Sequence, residues 1–123
     1  MIEIVGQVPS QKNSKNIGVN RHTGKTFVTS NKIVKAWQEE AEWQLRGKKK
    51  YSGPVMIDYL FYVKDHRRRD LDNMIATVND ALVKAGIIID DDWKNLTIGS
   101  AIGFYAKNDP KVLLLIKPDR KAE

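Results

Sequence analysis

The sequence contains no cysteine and only two histidines among its 123 residues. Without cysteine, a disulfide framework and a thiolate metal site are both excluded, and a reducing compartment is suitable. His22 and His66 have no evident partners for a histidine metal centre or a His–Ser site, so we expect both on the surface or in loops. His66 stands next to Arg67, where it could contact a phosphate.

Long apolar runs are also missing from the chain. The apolar runs, such as Ala85 to Ile89, have about five residues at most, whereas a membrane-spanning helix needs roughly 20. The stretch Met1–Gln7 lacks the basic start and the apolar segment of a signal peptide. The sequence therefore predicts a soluble, cytoplasmic protein made of a single domain, residues 1–123.

Acidic residues are scarce in the first half of the chain. Residues 1–50 hold ten Lys and Arg and four Glu, whereas residues 51–123 hold eleven residues of each sign, including every Asp. The net charge of +6 therefore comes from the first half. A basic surface attracts polyanions such as nucleic acid, although the same charge also suits a solvated face that keeps a protein soluble.

The spacing of apolar residues predicts the secondary structure. Residues 55–64 alternate and are apolar on both faces, which is typical of a strand in the middle of a sheet. Helices are predicted from an N-cap at Ser30 or Asn31 to about residue 47, and over residues 71–85. Shorter strands are predicted at 2–8, 17–20, 25–29, 96–106 and 112–117, the second and third of which pair across a turn. This order predicts an α+β fold, a mixed β-sheet with two main helices packed on it.

Acidic and basic side chains are interleaved where the predicted central strand leads into the second helix. The run there reads Asp65-His66-Arg67-Arg68-Arg69-Asp70-Leu71-Asp72-Asn73, and Asp90-Asp91-Asp92 follows the helix. Asp70 and Asp72 would project to the same side of an extended chain, at the positive end of the helix dipole. If the later acids lie nearby, the converging carboxylates require a cation, and oxygen ligands favour Mg²⁺ or Mn²⁺. Such an ion beside arginines that grip phosphates suits phosphodiester hydrolysis.

The same residues also fit a purely structural interpretation. Asp70 could cap the helix, Asp72 could decorate its first turn, and Asp90–Asp92 could form an ordinary acidic turn. The arginines could pair with these acids in a surface network. A calcium loop is disfavoured, because a loop that began at Asp70 would have Ile75 in place of the required glycine.

Three stretches of the sequence resemble the RusA family of Holliday junction resolvases. They are Arg67-Arg68-Arg69-Asp70-Leu71-Asp72-Asn73, Asp80-Ala81-Leu82-Val83-Lys84-Ala85-Gly86 and Asp90-Asp91, which follow one another over about 25 residues at the family's spacing. The segment Pro9–Lys15 is similar to an early loop of the family. The combination of a short motif, a helix length and a second acidic site makes the resemblance specific.

The resemblance implies a RusA-like fold and a homodimeric, Mg²⁺-dependent endodeoxyribonuclease of bacteria and their prophages. Such an enzyme resolves Holliday junctions in DNA recombination and repair by symmetric nicks in two strands of branched, four-way DNA, leaving 5′-phosphate and 3′-hydroxyl ends. By position, Asp70, Asp72 and Asp91 match the catalytic, metal-binding carboxylates. The candidate DNA-binding residues are Lys12, Asn13, Lys15, Arg67, Arg68 and Arg69.

One position departs from the family pattern. Well-known members have a catalytically important lysine four residues after the second motif aspartate, and here that residue is Ala76. Either another cation substitutes for it, or turnover is slow, or the protein binds branched DNA without cutting it well. A catalytically weak or inactive DNA-binding protein is therefore the alternative, and a Mg²⁺-dependent phosphatase of small esters is a third hypothesis.

Overall fold

The computed structural model describes residues 1–10, 15–19, 22, 26–30 and 32–119. The strands are β1 (Ile2–Val5), β2 (Lys15–Val19), β3 (Thr26–Ser30), β4 (Val55–Val63), β5 (Leu96–Tyr105) and β6 (Lys111–Pro118), and the helices are α1 (Lys32–Leu45) and α2 (Leu71–Lys84). A mixed sheet with two helices confirms the predicted α+β fold.

Four strands form the main sheet, in the order β1-β6-β4-β5. β4 lies inside this sheet, as predicted, antiparallel to β6 and parallel to β5. Parallel neighbours need a crossover connection, and α2 lies within the connection from β4 to β5. β2 and β3 pair antiparallel in a separate two-stranded sheet, which confirms the predicted hairpin.

The core lies between the main sheet and the helices. Side chains alternate along a strand, and Val55, Ile57, Tyr59 and Phe61 of β4 are fully buried on one face. On the opposite face, β4 side chains such as Tyr62 are only partly buried. β4 is therefore apolar on both faces but deeply buried on one.

Both helices bury most of the stripe that the spacing predicts, but the first apolar residue of each, Ile33 in α1 and Leu71 in α2, is exposed. The buried apolar residues are Val34, Trp37, Ala41 and Leu45 in α1 and Met74, Val78, Ala81 and Leu82 in α2. Ile33 was expected on the same face, but it lies at the start of α1 and is exposed. None of the helices in the described ranges is long and apolar enough to span a membrane.

Glycines explain where two elements end. β1 is shorter than the predicted strand because Gly6 has a φ of +113°, and its N–H donates to the carbonyl of Pro110. Gly86 follows α2 with a φ of +74°, the left-handed conformation expected after a helix. The chain then buries Ile87 and Ile88 but exposes Ile89.

Candidate nucleic-acid interface and metal centre

The connection between β4 and α2 is organised around Asp65. Its Oδ1 accepts a hydrogen bond of 3.1 Å from the backbone N–H of Arg67 and an ion pair of 2.8 Å from Arg69. The Arg69 guanidinium also donates to the carbonyls of Asp65 and Arg67, and its side chain is only 11% exposed. The backbone N–H of Arg67, and then the charge and hydrogen bond of Arg69, lower the pKa of Asp65. Arg69 therefore holds this segment in shape, a task that the sequence did not indicate.

The other two arginines of the run are turned to solvent. The side chains of Arg67 and Arg68 are 85% and 90% exposed. Arg68 Nε lies 3.4 Å from Asp70 Oδ1, so an ion pair joins the arginine run to the first residue of the acidic pair. These two side chains have the freedom to contact phosphates.

A cavity of about 390 Å³, here called the basic groove, joins the N-terminal segment to the arginine run. Its lining residues are Gln7, Val8, Pro9, Ser10, Ile33, Lys64, Arg67, Arg68 and Arg69. The Gln7 side-chain oxygen accepts a 2.8 Å hydrogen bond from the N–H of Lys64, which ties the two segments together. The structure thus brings Pro9 and Ser10, the beginning of the family-like loop, next to the arginines, and contact of this surface with DNA stays a prediction.

DNA contact by the candidate residues is not tested by this geometry, and the side chains of three of them lie outside the described part of the structure. Lys12 and Asn13 lie outside the described residues. Lys15 begins β2, where only the backbone is described. Their contact with DNA stays a prediction.

Asp70 and Asp72 stand at the start of α2. Asp70 occupies the N-cap position with extended backbone (φ −81°, ψ +122°), but its side chain makes no capping hydrogen bond. Asp72 lies in the first turn, and both residues are exposed. The capping interpretation is therefore wrong for the Asp70 carboxylate, which instead lies beside Arg68 in half-exposed surroundings.

Within the later acidic group, Asp92 has a structural task. Its Oδ1 accepts hydrogen bonds of 3.0 Å from the backbone N–H groups of Lys94 and Asn95 and from the Asn95 side chain. These bonds close the turn that leads into β5. For Asp92, the interpretation as an ordinary acidic turn is confirmed.

Asp91 lies close enough to Asp80 of α2 for the Asp80 charge to affect its pKa. Loss of hydration over part of its side chain raises the pKa of Asp91, and the Asp90 carboxyl and the charge of Asp80 raise it further. The charge of Asp91 in turn adds to the raised pKa of Tyr59, which is due mainly to burial. Asp80, on α2, is a neighbour of Asp91 that the sequence did not identify.

Asp70, Asp72 and Asp91, the carboxylates that match the family pattern, do not form a metal site within the described residues of one chain. Over residues 1–10 and 32–119, where side chains are described, no three His, Asp or Glu side chains are grouped so that they could hold a metal ion. The donor chemistry nevertheless fits a hard cation, since Asp91 has carboxylates as neighbours and Asp70 and Asp72 are accessible. A metal ion held by Asp70, Asp72 and Asp91 stays a prediction.

The aromatic side chains of the described residues have different environments. His66 is exposed, as expected, and stacks on Tyr105 with ring centres 4.2 Å apart. Trp37 is in the core, whereas Trp43 and Trp93 are exposed. A cavity beneath Leu71, near Gly103 of β5, is a further feature that the sequence did not predict.

By its fold and its site, the chain is an α+β protein with a basic groove beside exposed carboxylates. A family model described as endodeoxyribonuclease RusA matches residues 8–117. The crossover junction endodeoxyribonuclease RusA of Aquifex aeolicus (strain VF5) is 32% identical over 62 residues, 48% of this chain and 49% of that protein. The chain thus spans about half the length of the curated relative it matches. Because the family match covers most of its length, the chain belongs to the RusA endodeoxyribonuclease family, which confirms the resemblance.

Proposed function

We propose that this protein is a divalent-metal-dependent endodeoxyribonuclease that resolves four-way DNA junctions by paired nicks. The observation that carries the proposal is the position of the exposed Asp70–Asp72 pair directly beside the basic groove. A polyanion drawn into the groove comes close to the acidic pair at Arg68, which lines the groove and lies 3.4 Å from Asp70. Family membership supports the nuclease reaction, and the name of the Aquifex relative supports the junction substrate.

The protein's own residues have separate tasks in this proposal. Asp70, Asp72 and Asp91 would hold Mg²⁺ or Mn²⁺, which, when bound, polarises the phosphate and activates a water molecule. Arg67 and Arg68 neutralise the DNA phosphates on either side of the cut, while Arg69 keeps the segment rigid. We place the activity in the bacterial cytoplasm, including that of cells that carry prophages.

A second copy of the chain would bring Asp91 together with the Asp70–Asp72 pair. Asp80 follows Asp72 by eight residues, which is about 12 Å of rise along an α-helix. The charge of Asp80 acts on Asp91, and within the described residues of one chain Asp91 is not grouped with Asp70 and Asp72 so that the three could hold a metal ion. In the homodimer we propose, Asp91 of one subunit joins Asp70 and Asp72 of the other, and a two-fold axis then supplies the two sites that symmetric nicking needs.

The reaction is tested with a synthetic four-way junction in Mg²⁺. Wild type is expected to nick it, and Asp70→Asn is expected to lower the rate by at least about a hundredfold, a loss typical of removing an essential electrostatic stabiliser. Asp58→Asn is the matched control, since Asp58 is on β4 and bonds to Ser100. No nicking by wild type, or equal nicking by Asp70→Asn, would contradict the proposal.

Mixed subunits test how the carboxylates are shared. If the site is composed of two chains, a dimer of one Asp70→Asn and one Asp91→Asn subunit contains one intact site and one site with both changes. Such a mixture is expected to nick a junction once, although neither variant cuts alone. If all three carboxylates act within one chain, the mixture stays inactive, and the shared-site part of the proposal is wrong.

The second candidate is a protein that binds branched DNA and cuts it poorly. It is favoured by Ala76, an exposed residue one turn after Asp72 on α2, where the family has a lysine. A tight gel shift without product in either Mg²⁺ or Mn²⁺ would support this candidate. Product formation that chelation abolishes would exclude it.

A further inference from the structure

An apolar cavity of about 220 Å³ lies next to the acidic pair. Its lining residues are Phe61, Val63, Arg67, Arg69, Leu71, Met74 and Gly103. Leu71 stands between Asp70 and Asp72 in the sequence and is partly exposed. The cavity is therefore within one residue of both carboxylates along the chain, and it shares Arg67 with the basic groove.

The space exists because residue 103 has no side chain. Gly103 pairs with Phe61 of β4, and both residues line the cavity. A Cβ built at Gly103 would meet no atom within 4 Å. Glycine is an unusual choice in a strand, where it often marks a close approach by a ligand or another backbone. Gly103 does not have a positive φ, so its backbone conformation does not require glycine. The feature that sets this position apart is the open space beside it.

The chemistry of the cavity selects for a flat, aromatic, uncharged group attached to phosphates. Its floor is apolar, and two arginines stand at its edge. Arg69 is fixed by Asp65, whereas the Arg67 side chain is 85% exposed, with its Nε 3.9 Å from Asp65 Oδ2, so its guanidinium plane is accessible for stacking on a ring or pairing with a phosphate. At 220 Å³ the cavity is smaller than the roughly 300–1,000 Å³ of sites for drug-sized ligands, which suits a single ring system.

The surroundings extend this surface beyond the cavity. Tyr105 is two residues from Gly103 on β5, so its side chain lies on the same face of the sheet, where it carries the stacked ring of His66. A second planar group could stack there, because aromatic side chains accept any base. Hence the nucleotide next to one held in the cavity also finds an aromatic partner.

We propose that the cavity between Leu71 and Gly103 takes up one unpaired nucleobase of branched DNA. The inference rests on the proposed function and extends it, since it names the group that the protein binds beside the phosphate to be cut. Base uptake has the lowest cost where bases are already unstacked, as at the exchange point of a junction. The cavity would thus favour branched DNA over intact duplex.

The test compares junctions that differ by one base. Junctions carry a single abasic residue at each position that flanks the exchange point in turn, and binding is measured in a chelator so that no cutting occurs. For wild type, the missing base is expected to weaken binding about tenfold at one position, the size typical of a lost stacking contact. Gly103→Val should fill the cavity and bind all junctions equally within about twofold.

The substitution is designed so that misfolding does not imitate the result. Valine is favoured in strands, and its side chain enters empty space, so the melting temperature is expected to be unchanged or higher. Gly53→Val is the matched control, since Gly53 also has open space around its Cβ but lines a different cavity. It should keep the wild-type dependence on the missing base.

Three outcomes would overturn the inference: equal wild-type binding to every abasic junction, unchanged discrimination by a folded Gly103→Val, or no binding to junctions at all. Cleavage in Mg²⁺ is measured separately. A protein that discriminates but does not cut would keep the base site and lose the nuclease proposal. A protein that cuts but does not discriminate between the junctions would support the nuclease proposal and contradict the base site.

Discussion

Tyr59 and Asn79 are joined by a buried hydrogen bond, in which the Tyr59 hydroxyl donates to Asn79 Oδ1 over 2.5 Å. The bond ties the middle of β4 to the middle of α2. Since α2 carries Asp70 and Asp72 at its start and Asp80 beyond its middle, the register of this helix on the sheet positions the whole acidic surface. A buried polar pair also specifies that register more sharply than apolar packing does.

Tyr59→Phe is expected to destabilise the protein by about 1–3 kcal/mol, because Asn79 is left buried without its partner. Urea unfolding measures the change. The double variant Tyr59→Phe with Asn79→Leu should be closer to wild type than the single variant, since both polar groups are then removed. Tyr62→Phe, on the opposite face of β4, is the control and should change stability less.

Asp91→Asn is expected to raise the melting temperature of the metal-free protein at neutral pH. The folded state raises the pKa of Asp91, so its ionised form is disfavoured in the native structure. The advantage of the variant should therefore be absent below the unfolded pKa of about 3.9, grow as the pH rises from there to the native pKa, and stay constant above it. Melting curves between pH 3 and 7 without metal measure it, and a variant that is less stable at pH 7 would contradict the sign.

Arg68→Ala and Arg69→Ala are expected to fail in different ways. Loss of the exposed Arg68 should leave stability unchanged, weaken DNA binding, and reduce the salt dependence of the affinity by about one unit of slope. Loss of Arg69 removes the ion pair with Asp65 and bonds to two carbonyls, so it should lower stability. Equal effects of both variants on stability would show that Arg69 does not brace the segment.

Ala76→Lys is expected to raise the cleavage rate. Ala76 is exposed on α2 one turn after Asp72, so a lysine there would extend into solvent near the acidic pair. Single-turnover cutting of a junction measures the rate, with Ala76→Gln as a control for side-chain length. An unchanged or lower rate would mean that another residue supplies the cation.

Periodicity was sufficient for the elements of this fold, because β4 and both helices bury one regular face. It was insufficient for the strand order, since the pairing of β6 with both β1 and β4 is set by packing between distant segments. In the site, residue type predicted the cations, but only the structure distinguishes the bracing Arg69 from the exposed Arg67 and Arg68. The position of Asp91 beside Asp80 depends on the course of residues 86–95, which has no period to read.

The pairing of β1 with β6 has a consequence for how the protein is made. Val5 lies opposite Lys111, so the first strand has no neighbour in the main sheet until the last one has been synthesised. Contacts this distant in sequence are slow to form, and the nascent chain must keep Ile2 and Ile4 from other partners in the meantime. A chain whose synthesis stops before β6 would leave β1 unpaired in the main sheet. We expect proteases to degrade such a chain before it can bind DNA.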